Sequence, residues 1–345
     1  VYDIEITTNR VDSMSVRGVA REAAVILTQA GFPSQLKPAA VDFHEFSQSF
    51  TDFHEAPLPQ ITNNPELCSR ILAAVLTNIA HTATPDWMAK RLRQVELNVH
   101  DSAIDITNYI THDLGHPGHA FDYDKIMALG GEIIVTSAKS GQPFTTLDGV
   151  SYQAKGGEVV FTNPAGEIID LPAIKGTANT AISDDTTRIL FWIETIDAKK
   201  VRQASMSHAI RTVAAQLNEK GVDPHLAEQV FMRGVELYQQ LCHAQVASPI
   251  YNDFPGQRDA QVVTMPLSDI KRYLGVELPQ AQICKILESL ECQVKVEGET
   301  LHVTPPSFRP DLEMSADIVE EVARIYGYHR LPSVIMDTAI PTSYQ

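Results

Sequence analysis

"RILFWIETIDAKKVRQASMSHAI", residues 188–210, passes from one kind of element to another with no break. Its first ten residues are a short run of β-branched, aromatic and aliphatic side chains, which reads as a strand. From Asp197 onward, "DAKKVRQASMSHAI" reads as a helix. A strand delivered straight into a helix points to a mixed α/β chain.

The pattern repeats on both sides. "SRILAAVLTNI" (69–79) is apolar and strand-like, and "PDWMAKRLRQVEL" (85–97) starts with a proline and runs as an amphipathic helix. "AIDITNYITHDLG" (103–115) carries both signals. "GEIIVTSA", "PFTTLDGVSYQA" and "GEVVFTN" are short strands punctuated by glycine turns, and residues 170–186 are mostly loop. "PHLAEQVFMRGVELYQQL" (224–241) is helical. The fold class expected is therefore α/β (α+β) and multidomain.

At 345 residues the chain is long enough for two or three domains. "VYDIEIT" alternates as a half-buried strand, and the helix after it, with Val16, Val19, Ala20, Ala23 and Leu27 at helical spacing, can stop at Gly31. Residues 34–65 read as a connector. In "PLSDIKRYLG" (266–275) Ser268 is the expected N-cap and Gly275 the stop. Ile283, Ile286, Leu287 and Leu290 share a helix face, and "CQVKVEGETLHVTPP" (292–306) is a hairpin around Glu297-Gly298. These suggest a small winged-helix-like unit. The expected division is a strand–helix segment at 1–40, an α/β domain at 41–255, the winged-helix-like domain at 256–335 and a connector at 336–345. A start inside a strand pattern suggests an excised piece.

A net charge of −16 disfavours nucleic-acid binding by bulk charge, so any RNA contact must be local or supplied by a partner. The four cysteines form no CxxC pair, which suggests a reduced, intracellular protein. No run of 18 apolar residues and no signal peptide is present, so no membrane association is expected.

Two stretches carry candidate chemistry. In "RPDLEMSADIVEEVARIYGY" (309–328), a helix capped by Ser315 and burying Ile318, Val322 and Ile325 puts Asp317, Glu320 and Glu321 on one face, with Asp311 just before it. Such carboxylates suit a weakly held Mg²⁺; a solvated acidic face is the plainer alternative. In "THDLGHPGHAFDYD" (111–124), His112, His116 and His119 raise a zinc reading, but Pro117 and Gly118 break the helix such a site needs; a single catalytic or RNA-orienting histidine fits better, and a surface-loop histidine better still. Thr107 and Asn108 stand nearby in sequence and could orient a water or a ribose, or hydrogen-bond locally. No GxGxxG, GxxxxGK[ST] or GxSxG occurs, which argues against a nucleotide-binding or serine-hydrolase core.

Together these words resemble the β subunit of bacterial phenylalanine–tRNA ligase. "IDITNYITHDLGHPGHAFDYDKI" (104–126) is similar to that family's DITNYV…GQPLHAFDLDKI, and "RTVAAQLNEKGVDP" (211–224) to its RTEASHRFERGVDP. "DIEITTNRVDSMSVRGVARE" (3–22), "TLDGVSY" (146–152) and residues 303–332 follow in the family's order. The resemblance implies an (αβ)₂ heterotetramer in the cytoplasm that charges tRNA(Phe) using ATP. The α subunit holds the aminoacylation site, and the β subunit an editing site for mischarged Tyr-tRNA(Phe). It assigns His119, Thr107 and Asn108 to editing chemistry, and Thr212, Ala214 and Ala178 to the pocket. It assigns Asp311, Asp317, Glu320 and Glu321 to a Mg²⁺ shared with the α subunit. One departure stands out. Where the family has a glutamate after a glycine pair, "PAIKGTANTAI" (172–182) has Thr177 for the second glycine and Ala178, or Asn179 if the alignment slips by one, for the glutamate. Editing here is therefore degenerate, or another group reads the tyrosine hydroxyl; the alternative is a non-catalytic scaffold that touches tRNA.

Overall fold

The computed structural model describes residues 4–37, 42–50, 52–53, 55–257 and 260–333. The chain divides into two compact units, one of Val1–Arg21 with Leu36–Arg258, the other of Glu22–Gln35 with Asp259–Gln345. The 1–40 segment is thus no body of its own. Ile4–Thr7 is not a strand and Ile4 is exposed, while the first three residues and the 336–345 connector lie outside the described residues. The helix after it runs Val16–Gln29, and Gly31 follows at φ +90° as expected of a stop, but Val16 and Leu27 of the expected apolar face are exposed.

The first unit is organised by two strands far apart in sequence. Cys68–Thr77 and Ile189–Ile196 pair antiparallel, with Ile189 opposite Leu76 and Thr195 opposite Arg70. His119–Asp122 adds to the other edge, His119 facing Trp192 and Asp122 facing Ile189. Tyr251–Asp253 and Gln245–Val246 complete the sheet along Cys68–Thr77. Every residue of Ile189–Ile196 is buried. Successive side chains of a strand point to opposite faces, so a strand buried throughout must be covered on both. Leu72, Ala74, Leu76, Phe191 and Ile193 pack with helices Asp86–Gln94, Ser102–Leu114 and Leu226–Cys242. Ile71, Ala73, Val75, Leu190 and Trp192 pack instead with Ile133, Val135, Val159, Phe161 and Ile169 of a second sheet. That sheet runs Gln60–Thr62, Glu132–Ser137, Val159–Thr162, Ile168–Leu171, Lys175–Gly176, with the first pair parallel and the rest antiparallel. The result is three layers: helices, sheet, sheet.

Arg70 is the one polar interruption in the middle of the first strand's buried run, at 1% exposure. It donates to the Pro224 carbonyl at 2.9 Å, Glu228 at 2.5 Å and Asn252 at 3.2 Å, and its guanidinium lies 4.3 Å from the Phe254 ring centre. The strand is so tied to the start of helix Leu226–Cys242 and to the edge strand.

The second unit holds a three-stranded antiparallel sheet, Val263–Pro266, Thr300–Thr304, Gln293–Glu297 in spatial order, with helices Leu267–Leu274, Gln280–Ser289 and Ser315–Tyr326. Its core takes Ile283, Ile286, Leu287, Leu290, Ile318, Val322 and Ile325, as the helical spacing predicts. Gly298 turns the hairpin at φ +59° and Gly275 ends its helix at φ +71°. Two caps differ from expectation. Pro266 precedes the first helix, leaving Ser268 within its first turn, and Ser315 is the first helical residue of the last helix. There the Asp317 carboxylate accepts the backbone N–H groups of Glu313 and Met314, both at 2.9 Å, and does the holding. Among the described residues all four cysteines are free thiols, and no helix is long and apolar enough to cross a membrane.

Helix Leu226–Cys242 approaches the central sheet through Gly234, where an added Cβ would sit 2.2 Å from Phe191 Cζ. Helix propensity alone predicts that Gly234→Ala stabilises by about 1 kcal/mol. Phe191 is fully buried, so overpacking dominates and the variant is expected to lose about 1–3 kcal/mol. A thermal melt that rises instead would show that Phe191 moves freely.

Candidate functional site

His119 opens the strand His119–Asp122 and is only partly covered. Its ring packs edge-on against Phe121, with centres 4.4 Å apart. Its Cε1 lies 3.0 Å, and its Nε2 3.5 Å, from where a Cβ on Gly176 would be, so only glycine allows the imidazole so close to that backbone. Leu147 Cδ2 borders the same spot at 3.4 Å. Burial of the ring pushes its pKa down to about 4, so it is neutral at physiological pH. Neither ring nitrogen has a hydrogen-bond partner among the described residues. A neutral imidazole offers one donor and one acceptor, and both are free here.

The Gly176 segment is held at both ends. The Thr212 hydroxyl donates to the Ile174 carbonyl at 2.7 Å while accepting from Ala215 N–H as the cap of helix Val213–Asn218. Gly176 O accepts from Leu147 N–H, and Ala178 N–H donates to Thr145 O, both at 2.9 Å. The fold thus gathers His119, Thr212 and the Ala178 segment around one stretch of backbone. Ala178 itself is exposed and Ala214 half-buried. Thr177, in the family's glycine position, is buried, and its hydroxyl, with one proton to donate, lies 2.5 Å from Ile169 O and 2.6 Å from Asn179 Oδ1. Thr107 and Asn108 sit on helix Ser102–Leu114, where the Thr107 hydroxyl donates to Ile104 O at 2.9 Å; no hydrogen bond joins either to His119 among the described residues.

Sequence reading missed a pair of carboxyls beneath this spot. Asp170 is the register partner of Gly176, and Glu194 lies two residues beyond Trp192 on the strand face that His119 shares. Both are buried. Burial pushes Glu194 up to about 8 despite a 2.9 Å bond from Ala173 N–H, and burial together with Glu194 raises Asp170 well above the carboxylate range. Asp170 Oδ1 has no hydrogen-bond partner among the described residues. The period-two pattern Leu190, Trp192, Glu194 was the available signal; it marks the face but not what lies across it.

The other histidines do different work. His116 is buried with its Nδ1 donating to Pro117 O at 3.0 Å, which leaves Nε2 to accept the Thr195 hydroxyl at 3.1 Å. With both nitrogens occupied, and no cluster of His, Cys, Asp or Glu placed to hold a metal among the described residues, the zinc reading falls.

The acidic group at 311–321 is a guanidinium network. Arg309, 3% exposed, donates to Asp311 at 2.8 and 2.9 Å and to Glu321 at 3.1 and 3.0 Å. Arg324 donates to Glu321 at 2.5 and 3.3 Å and to Glu22 at 2.6 Å. Burial would raise the Glu321 pKa, but the bonds from Arg309 and Arg324 outweigh it and hold it at about 2. Asp317 caps its helix, and Glu320 faces solvent. As this chain places them, the four acids do not converge, and two guanidinium groups stand where a cation would. They do not fit a Mg²⁺ held by this chain.

Comparison with known proteins agrees with the two-unit build. The B3/4 domain family matches residues 67–243 and the tRNA synthetase B5 domain family matches residues 263–328, which makes this a chain of the tRNA-synthetase accessory-domain class. The phenylalanine–tRNA ligase beta subunit of Clostridium acetobutylicum is 30% identical over 334 residues, covering 96% of this chain and 40% of the relative. That of Geobacillus kaustophilus is 33% identical over 335 residues, covering 97% and 40%. The chain belongs to the phenylalanine–tRNA ligase beta subunit family, and spans about 40% of the length of these curated relatives. A solved N-terminal fragment of the Pyrococcus horikoshii phenylalanyl-tRNA synthetase beta subunit is 15% identical, covering 93% of this chain and 85% of that one, at a TM-score of 0.45.

Arg309→Met leaves two carboxylates without their main partner, and a cost of about 3–5 kcal/mol in the second unit is expected in chemical denaturation. Because the Glu321 pKa is depressed, its contribution is present above about pH 4.5 and is lost as pH falls toward 2. Glu194 has the opposite sign. Its folded pKa of about 8 exceeds its ordinary 4.5, so the unfolded chain loses its proton first and stability falls as pH rises between those values. Glu194→Gln is expected to flatten that slope, by on the order of a few kcal/mol between pH 5 and 8. An unchanged slope in urea titrations would assign it to other groups.

Proposed function

We propose that this chain serves phenylalanine–tRNA ligase as its editing-type subunit portion, hydrolysing the ester of mischarged Tyr-tRNA(Phe). The observation that carries the reading is His119: a neutral imidazole, free of protein partners, closing on the glycine backbone of Lys175–Gly176. Aminoacylation, with its ATP, belongs to the α subunit, and the working assembly is the cytoplasmic (αβ)₂ heterotetramer on tRNA(Phe). A pocket built for phenylalanine rejects an analogue with one added hydroxyl poorly, so a second site supplies the missing accuracy.

The chemistry follows from the low basicity. A group of pKa about 4 takes up little proton at pH 7, so His119 is a weak general base. It acts as a hydrogen-bonding group. One nitrogen donates to the ester or ribose oxygen, while the other accepts from the attacking water and aligns it. Thr212 keeps the facing backbone in place through Ile174. A second reading, a scaffold without chemistry, is favoured by one observation: the exposed Ala178 offers no carboxylate for a tyrosine hydroxyl.

Deacylation of Tyr-tRNA(Phe) decides between them, measured with the (αβ)₂ complex containing this chain and with the chain alone. His119→Ala in the complex is expected to slow hydrolysis by about 10- to 100-fold, leaving Phe-tRNA(Phe) synthesis unchanged. No hydrolysis by either form would establish the scaffold.

A further inference from the structure

Helix Asp86–Gln94 is amphipathic, with Met88, Ala89 and Leu92 buried and Trp87, Lys90, Arg91, Arg93 and Gln94 on the outer face. Three cations within four positions are unusual company in a chain of net charge −16. Many of the chain's basic side chains sit on acids, among them Lys175 on Asp148, Arg211 on Glu219 and Lys271 on Glu277. Lys90 and Arg93 make no ion pair among the described residues. Trp87 keeps 42% of its surface exposed beside them. Its position is fixed. The ring stands edge-on to Tyr109 at 5.3 Å, and Arg91 lies 5.4 Å from its centre while donating to the Tyr109 hydroxyl at 2.5 Å.

We propose that this helix face is an RNA contact: a strand's phosphates run along Lys90 and Arg93, and one base stacks on Trp87. Cations supply sequence-independent affinity, and an exposed ring supplies a stacking platform that any base can use. This rests on the reading that the chain works on tRNA, and it locates the local contact that so acidic a chain requires. An acidic protein surface would meet the same cations but would leave the tryptophan without a role. Helix Ala198–His208 also carries Lys199, Lys200 and Arg202, but has no exposed aromatic, and Arg202 approaches Glu219.

The chain has two tryptophans; Trp192 is fully buried and shielded from contact with a ligand, so a quench that disappears in Trp87→Phe reports on Trp87. Titration of the chain with uncharged tRNA(Phe) is expected to quench emission in the wild type and not in Trp87→Phe. Trp87→Ala should weaken binding about 5- to 100-fold. Lys90→Gln with Arg93→Gln should lower the slope of log affinity against log salt by about two. All these side chains are exposed, so unchanged melting temperatures verify folding. If tRNA binds while Trp87 stays silent and the variants bind as wild type, or if Lys199→Glu with Lys200→Glu alone abolishes binding, the proposal is wrong and the editing reading stands. No tRNA binding by the chain also overturns it, and deacylation by the complex then decides the editing reading separately.

Discussion

The pairing of Cys68–Thr77 with Ile189–Ile196 is the constraint on which the first unit depends. These strands are far apart in sequence, so closing the loop costs conformational entropy before any contact repays it. Repayment comes from both faces at once. The register sets Leu72, Ala74 and Phe191 toward the helices and Ile71, Val75 and Trp192 toward the second sheet. A one-residue slip would exchange these faces, placing Glu194 among the helices and Arg70 between the sheets, where neither has its partner. Glu194 and Arg70 therefore add register specificity even where their net contribution to stability is small.

The buried ionic groups of the two units differ in kind. Arg309 satisfies two carboxylates at once, with four bonds between 2.8 and 3.1 Å, and the charges compensate each other within one cluster. Asp170 and Glu194 face no cation among the described residues. Two negative charges in a dry layer would repel strongly, so these groups remain largely protonated and behave as polar, uncharged side chains at low pH. The first arrangement makes its unit vulnerable to acid, and the second makes its unit vulnerable to base.

Local structure was legible wherever a periodic pattern met a simple environment. The strands at 69–79 and 188–197 follow from short apolar runs, and the hairpin at 292–306 and the helix faces of the second unit from periods of 2 and 3.6 residues. The errors arose where one residue type serves several ends. Ser268 and Ser315 are good cap residues by chemistry, yet Pro266 fixes one helix start and the Asp317 side chain holds the other. Spacing puts Asp317, Glu320 and Glu321 on one helix, but it is silent on Arg309, which pairs with Asp311 and Glu321 from two and twelve residues away. The site was legible only in part. Family words point to His119 and Thr212, whereas the closeness of His119 to Gly176, and the acids beneath, come from strand register that no short motif records.

A histidine that stays neutral keeps a single hydrogen-bonding pattern. An imidazole with its ordinary pKa near 6.5 would change charge with small shifts in cellular pH, and its hydrogen-bonding pattern would change with it. Burial displaces His119 to about 4, so one donor and one acceptor persist throughout the physiological range. The free energy that keeps it neutral is the desolvation of its charged form, set by Phe121 and the Gly176 backbone packed against the ring. A side chain in place of the hydrogen on Gly176 would push the ring away from that backbone, opening it to water and returning its pKa toward the ordinary value. The glycine thus sets the geometry of the imidazole and its protonation state by the same close contact.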